Sequence, residues 1–245
     1  MSIFTNYSDV LFAGFTDNIK TSDLLHKKHG LFLDILRQNH MPSTDILFVG
    51  FSPWCLALGD IKFKITEVSQ QILDYLDVAQ CNYEFKPLED FCGSPKSVAV
   101  VVAADEYFTF AECDSDQLKL VQQLSAIASG IIITTLRDYK NQDYKDREFS
   151  QPIIVHATES DKIYLEHHEY SARDKNSSIS TTYAISTDSP ETTERFGPFH
   201  RRNMYFKQLA RFSIDSGAKS FIIHKNLMYK STIKKNYEHV ITIKF

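Results

Sequence analysis

The chain has 245 residues, of which 43% are apolar and 13% aromatic, and its formal net charge is −4. This length suits one domain around a single substantial core. No apolar run is long enough to cross a bilayer, no secretory leader is present and the four cysteines form no CxxC pair, which together exclude membrane-spanning and disulfide-scaffold classes. We expect a soluble protein of the reducing cytoplasm.

The first predicted elements are a helix and a buried strand. Leucine, isoleucine and phenylalanine recur at helical spacing from Ser22 until the polar stretch 39–42, so residues 1–42 should form a helical cover for a sheet. Ile46 to Val49 (ILFV) is a continuous apolar run that stops at Gly50. Such a run is typical of a strand buried on both faces.

Strands and helices then alternate as far as residue 140. Residues 61–68 predict a strand, Ser69 the N-cap of a helix, and residues 83–85 a short strand. Residues 97–104 (SVAVVVAA) are the most strand-like run in the chain. An amphipathic helix over 116–128 should be broken by Gly130, and a buried strand should begin at Ile131. This alternation predicts a parallel sheet with right-handed crossovers.

The last third changes character. Residues 153–157, 163–170 and 179–186 predict antiparallel strands, and residues 151–187 would form an insertion or lid. A helix over 203–216 and strands over 220–224 and 239–245 follow. The fold class is therefore a Rossmann-like α/β domain over residues 1–245: a mostly parallel sheet flanked by helices, with a small antiparallel insertion and a C-terminal antiparallel strand hairpin.

In this order of elements the chain resembles the class I S-adenosylmethionine (SAM)-dependent methyltransferases. The segments that carry the resemblance are ILFVGFSPW, KITEVSQQILDYL, EFKPLEDF, SVAVVVAADEYF, SFIIHKNLMYKS and EHVITIKF, in that sequence. The resemblance implies SAM as cofactor and methyl transfer as activity. It also implies a cofactor site at the carboxyl ends of the first four strands, where open α/β sheets bind ligands.

The resemblance assigns residues to that site. Gly50, Phe51 and Ser52 would form the turn that approaches the cofactor, and Glu67 with Val68 would receive the ribose hydroxyls, which a carboxylate binds well. The segment after the third strand would hold the adenine, with Asp90 accepting from its amino group and a neighbouring apolar side chain flanking the ring; the residues concerned are Glu89, Asp90 and Phe91.

The acceptor would lie after the fourth and fifth strands. Asp105, Glu106 and Tyr107 are the first candidates for catalytic residues, with Asp105 also facing the cofactor, and Tyr139 is a further candidate. Methyl transfer from a sulfonium depends mainly on positioning, so these residues need only hold the acceptor in line. No metal site is predicted, because His167 and His168 would point to opposite faces of a strand.

One departure bears on activity. Ser52 and Trp54 stand where the family's turn has glycines. A catalytically inactive binding or structural subunit of the same fold is therefore an alternative. A dinucleotide-dependent reductase is a third reading, which the absence of GxGxxG after Val49 disfavours.

The acceptor class stays open among small molecules, proteins and nucleic acids. Residues 195–245 contain 11 basic and 2 acidic side chains, against 16 and 29 in residues 1–194. Aromatic residues lie between the basic ones, a mixture that contacts phosphates and bases, so Arg201, Arg202, Lys234 and Lys235 are candidates for a nucleic-acid surface. The alternative is a solvated charged surface.

Overall fold

A computed structural model describes residues 5, 8, 9, 12, 22–42, 44–103, 107–137, 147–149, 153–155, 161–171, 173–174, 176–230 and 237–245. The helices whose bounds are described are Ser22–Gln38 (α1), Gln70–Val78 (α2), Leu88–Cys92 (α3), Asp114–Ile127 (α4) and Phe206–Asp215 (α5). Short 3₁₀ helices cover Pro53–Leu58 and Tyr107–Thr109. Within the described ranges, no helix combines the length and the apolar character needed to cross a bilayer.

Twelve strands are described. They are Ile46–Val49 (β1), Phe63–Thr66 (β2), Tyr83–Phe85 (β3), Val98–Ala103 (β4), Ala128–Arg137 (β5), Arg147–Phe149 (β6), Ile153–Val155 (β7), Lys162–Tyr170 (β8), Ser177–Ser186 (β9), Glu194–Arg202 (β10), Ser220–Lys230 (β11) and Tyr237–Lys244 (β12). They form two sheets, one of seven strands and one of five.

The larger sheet has the order β11-β12-β5-β4-β1-β2-β3. Strands β1 to β5 are parallel, whereas β12 lies antiparallel to both β5 and β11. The predicted mostly parallel sheet and its reversed C-terminal hairpin are thereby confirmed. Because β1 to β4 are parallel, the segments after them meet at one edge, called the carboxyl edge below.

Alternating residues of the larger sheet enter two cores. Leu47 and Val49 of β1 face α4 and α5, whereas Ile46 and Phe48 face α1 and α2. Trp54 belongs to this second core, where its ring stacks on Phe32 with centroids 5.4 Å apart. Helices cover both faces, which explains why β1 and β4 are apolar without alternation.

The smaller sheet has the order β10-β9-β8-β6, with β7 also paired to β8. It is antiparallel, as predicted, but it is larger than the predicted insertion at 151–187, because β6 precedes that range and β10 follows it. The sequence of β10, ERFGPFHRR, includes Gly197 and Pro198 and four charged side chains, so it did not read as a strand.

Two other local predictions need correction. Gly130 does not separate α4 from β5 but lies inside β5, which begins at Ala128 immediately after the helix. A Cβ at Gly130 would lie 2.7 Å from the carbonyl oxygen of Ala99, so this glycine permits the close approach of β4 and β5. Ser69 does stand at the N-cap of α2, but its side chain makes no capping hydrogen bond.

Candidate functional site

The turn after β1 begins the candidate site. Gly50 has φ of +84°, a left-handed conformation that glycine adopts without a Cβ clash, and its amide donates to the Thr66 carbonyl at 2.9 Å. Ser52 caps the following 3₁₀ helix, its hydroxyl accepting from the Trp54 amide at 3.4 Å. Ser52 and Trp54 thus hold the turn: Ser52 caps it and Trp54 anchors it in the core.

Glu67 follows β2 at the same edge. Its φ is +57°, a conformation that non-glycine residues rarely adopt and that clusters at functional sites. The Thr5 hydroxyl donates to Glu67 Oε2 at 3.3 Å. The neighbouring Val68 is buried and packs in the core that contains α1 and α2, so only Glu67 of this predicted pair borders open space.

Ser8 ties the turn and Glu67 together. Its hydroxyl accepts from the Phe51 amide at 3.3 Å and donates to the Glu67 carbonyl at 2.9 Å. Phe12 packs edge-on against Phe51, with ring centroids 5.2 Å apart. The described residues of the N-terminal segment therefore lie directly on the predicted cofactor turn, a placement that no sequence pattern indicated.

A cavity of about 290 Å³ opens at the carboxyl edge, and we call it the inner cavity. Its lining includes one residue after each of three parallel strands: Glu67 after β2, Leu88 after β3 and Tyr107 after β4. Burial raises the pKa of Tyr107, and the nearby Glu67 adds to the shift, so this hydroxyl keeps its proton at neutral pH.

The segment after β3 contributes one of its three predicted site residues to the inner cavity. Glu89 lines the inner cavity beside Leu88, whereas Asp90 and Phe91 do not line it. Phe91 is buried in the core with α4. The short helix α3 determines this, because successive residues on a helix point in different directions. Leu88 is thus the apolar side chain available to flank a ring, and Glu89 the available carboxylate.

A second cavity of about 330 Å³, the outer cavity, lies between the smaller sheet and the segment that precedes α4. Residues of β8, β9 and β10 line it, among them Glu169, Tyr170 and Ser178. Ala111, Glu112 and His200 line both cavities, so the two adjoin. Neither Glu112 nor His200 was predicted to border the site, and His200 lies on β10, the strand that was not predicted.

Two arginines of β10 connect the smaller sheet with the segment around α4. Arg201 is only 6% exposed, forms an ion pair with Glu166 at 3.4 Å and lies over the Phe110 ring at 4.8 Å. Arg202 forms ion pairs with Asp114 at the start of α4 and with Asp174. These intramolecular contacts differ from the nucleic-acid contacts predicted for both arginines. Lys234 and Lys235 lie outside the described residues.

Three further predicted site residues, Asp105, Glu106 and Tyr139, also lie outside the described residues. Among the residues that are described, no three His, Cys, Asp or Glu side chains are grouped as ligands of one metal ion would be.

The whole architecture is similar to solved methyltransferase structures. One is a SAM-dependent methyltransferase from Clostridium acetobutylicum ATCC 824, at 12% identity and a TM-score of 0.66 over 96% of this chain and 97% of that one. Another is CalS10, an amino pentose methyltransferase from Micromonospora echinaspora with SAM bound, at 10% identity and 0.66 over 95% and 96%. A third is CcbJ from Streptomyces caelestis, at 14% and 0.61 over 89% and 95%.

The chain has the class I methyltransferase fold. Similarity over nearly the whole of each chain, together with the reversed β12, decides this point. No protein-family model matches the sequence, and no curated protein matches it. The fold is therefore established by three-dimensional similarity, with 10–14% identity in the structures above.

The residues at the carboxyl edge fit SAM chemically. A carboxylate at the end of β2 suits two vicinal hydroxyls, an apolar side chain after β3 suits a purine ring, and a left-handed glycine after β1 keeps the backbone clear of side-chain atoms. Glu67, Leu88 and Gly50 supply these features.

Proposed function

We propose that this protein is a SAM-dependent methyltransferase that acts on a small polar molecule. The observation that supports it most directly is the inner cavity, where Glu67, Leu88 and Tyr107 meet after three parallel strands of a methyltransferase fold. Glu67 would bind the ribose hydroxyls, and Leu88 with Glu89 would hold the adenine. When bound, SAM supplies an electrophilic methyl group.

The acceptor would enter through the outer cavity. That cavity adjoins the inner one at Glu112 and His200, so a molecule lying in it can present an atom towards the donor. Its size, about 330 Å³, is at the lower end of the range of small-molecule sites. The smaller sheet covers it, which favours a compact acceptor over a nucleic-acid duplex.

Calorimetric titration with SAM and with S-adenosylhomocysteine (SAH) tests the proposal. We expect both to bind. Glu67→Gln keeps the shape of the side chain and removes its charge, so binding should weaken about 10- to 100-fold, the range that one or two charge-assisted hydrogen bonds supply. Glu191→Gln is the matched control, because Glu191 is exposed and lines neither cavity; its affinity should stay unchanged.

A binding subunit without transferase activity is the second candidate. The contacts of Thr5 and Ser8 favour it, because the chain's own hydroxyls bind the Glu67 carboxylate and the Phe51 amide, groups that a cofactor would contact. The same titration separates the two. A folded protein that gives no heat with either ligand supports the subunit and rejects the enzyme.

A further inference from the structure

His200 and Glu112 are the two polar side chains shared by the cavities. Each cavity is bounded by different elements, yet both residues line both of them. Neither side chain forms a hydrogen bond or an ion pair with any other described residue. An imidazole and a carboxylate that stand unengaged at such a junction are available to a bound molecule.

The position of His200 is fixed by its neighbours in β10. Phe199 is 2% exposed and packs in the core that contains α4 and α5. Arg201 is 6% exposed and contacts Glu166 and the Phe110 ring. His200 itself is exposed. A rigid backbone thus presents a ring that can take a proton from the cavity and release it to water.

Among the described residues that line the two cavities, the charge around His200 is negative. Four glutamates line the two cavities, and the single arginine among the lining residues, Arg201, is already paired with Glu166. The glutamates are Glu67, Glu89, Glu112 and Glu169; Tyr107 and Tyr170 are the other titratable groups that share a cavity with His200. A cleft of this charge attracts cations and repels carboxylates and phosphates.

We infer that the acceptor carries an amine, that Glu112 attracts it as the ammonium ion and that His200 is the general base that removes its proton. This inference rests on the proposed function, since it concerns the same site. An ammonium ion has no lone pair, so it must lose a proton before it can attack a methyl group. A histidine that has no hydrogen-bond or ion-pair partner among the described residues suits that task, because its ring nitrogen can accept a proton.

Methyl transfer to the amine would begin with the loss of a proton from the ammonium ion. One N–H bond of the ammonium breaks and its proton goes to a ring nitrogen of His200, which leaves the nitrogen lone pair free. That pair forms the new N–C bond to the methyl carbon, while the S–C bond breaks and its electrons return to sulfur. SAH and a methylated ammonium result, and His200 passes its proton to water.

The test needs no knowledge of the acceptor. Sinefungin carries an amine at the position where SAM carries its transferable methyl group, and SAH carries no group there. The ratio of the affinities of sinefungin and SAH therefore reports on the surroundings of that amine. Affinities of both for the full chain are measured by calorimetry between pH 5.5 and pH 8.5. Near pH 8 we expect sinefungin to bind roughly tenfold more tightly than SAH, as an ammonium beside a partly exposed carboxylate does.

Protonated His200 would repel the ammonium. The preference for sinefungin should therefore fall severalfold in the wild type as the pH drops from 8.5 to 5.5. In His200→Gln the preference should keep its alkaline value throughout, and in Glu112→Gln it should fall at every pH. His40→Asn and Glu191→Gln, at sites that line neither cavity, should behave as the wild type.

The outcomes separate this inference from the function on which it rests. If SAH itself fails to bind, the proposed function fails. If SAH binds but sinefungin is not preferred at pH 8, or if the preference has the same pH dependence in His200→Gln, then the amine and the base are both overturned. Unchanged SAH affinity in the variants shows that their fold is intact.

Discussion

Ser8 should contribute measurably to stability, because it joins two parts of the candidate site. Its side chain is 0% exposed, and Ser8→Ala removes both of its hydrogen bonds. The Phe51 amide is buried, so losing its hydrogen bond to Ser8 costs about 1–3 kcal/mol. The Glu67 carbonyl is only partly buried and can turn to water, so its loss costs about 1 kcal/mol.

The expected decrease in the free energy of unfolding is thus about 2–4 kcal/mol. Urea unfolding followed by fluorescence and circular dichroism measures it, with the m-value checked for two-state behaviour. Ser213→Ala is the matched control. Ser213 is also 0% exposed, but its hydroxyl donates at 2.7 Å to the Leu209 carbonyl one turn earlier in α5, an acceptor that lies in the helical hydrogen-bond ladder.

Ser213→Ala should therefore cost less than about 1 kcal/mol. If Ser8→Ala loses no more stability than Ser213→Ala, the reasoning is refuted, because Ser8 would then not hold the Phe51 amide and the Glu67 carbonyl together in solution.

Two predictions concern the larger sheet. Gly130→Ala should lower the free energy of unfolding by about 1–3 kcal/mol, because the new Cβ would lie 2.7 Å from the Ala99 carbonyl oxygen. Gly93→Ala is the control and should be nearly neutral, because a Cβ there would lie 4.0 Å from the Asp90 carbonyl oxygen. Equal losses of stability in urea unfolding would contradict this prediction. Burial lowers the pKa of His224, whose Nε2 lies 2.8 Å from Thr242 Oγ1. His224 therefore binds a proton more readily in the unfolded chain than in the folded one. Stability should decline as the pH falls below about 6.5, the ordinary pKa of histidine. The slope between pH 7.5 and pH 5 should be smaller in His224→Gln, and an unchanged slope would show that other groups cause the decline.

Stretches whose pattern depends on local neighbours were predictable. The apolar runs of β1 and β4 and the amphipathic face of α4 lie within two residues of their predicted places, because burial on both faces or on one face leaves a periodic trace. The order of these elements then limits the chain to a parallel sheet, and the short distance from Gly50 to Glu67 follows from that parallel pairing.

Stretches whose environment is set by distant residues were not predictable. β10 carries Gly197, Pro198 and several charges, yet it is a strand because β9 pairs with it and because ion pairs engage the buried Arg201 and the half-buried Arg202. The sequence suggested four basic residues for a nucleic-acid partner, and tertiary contacts engage the two that are described, Arg201 and Arg202, within the fold.

The candidate site divides in the same way. Gly50, Glu67 and Tyr107 are read from the sequence, since each ends or follows a strand whose end is fixed by the apolar pattern. Two features of the cavities depend on how α3 turns and how the smaller sheet lies beside α4. Glu89 rather than Asp90 lines the inner cavity, and Glu112 and His200 line both cavities. Local periodicity carries no information about either, because both arise from contacts between residues far apart in the chain.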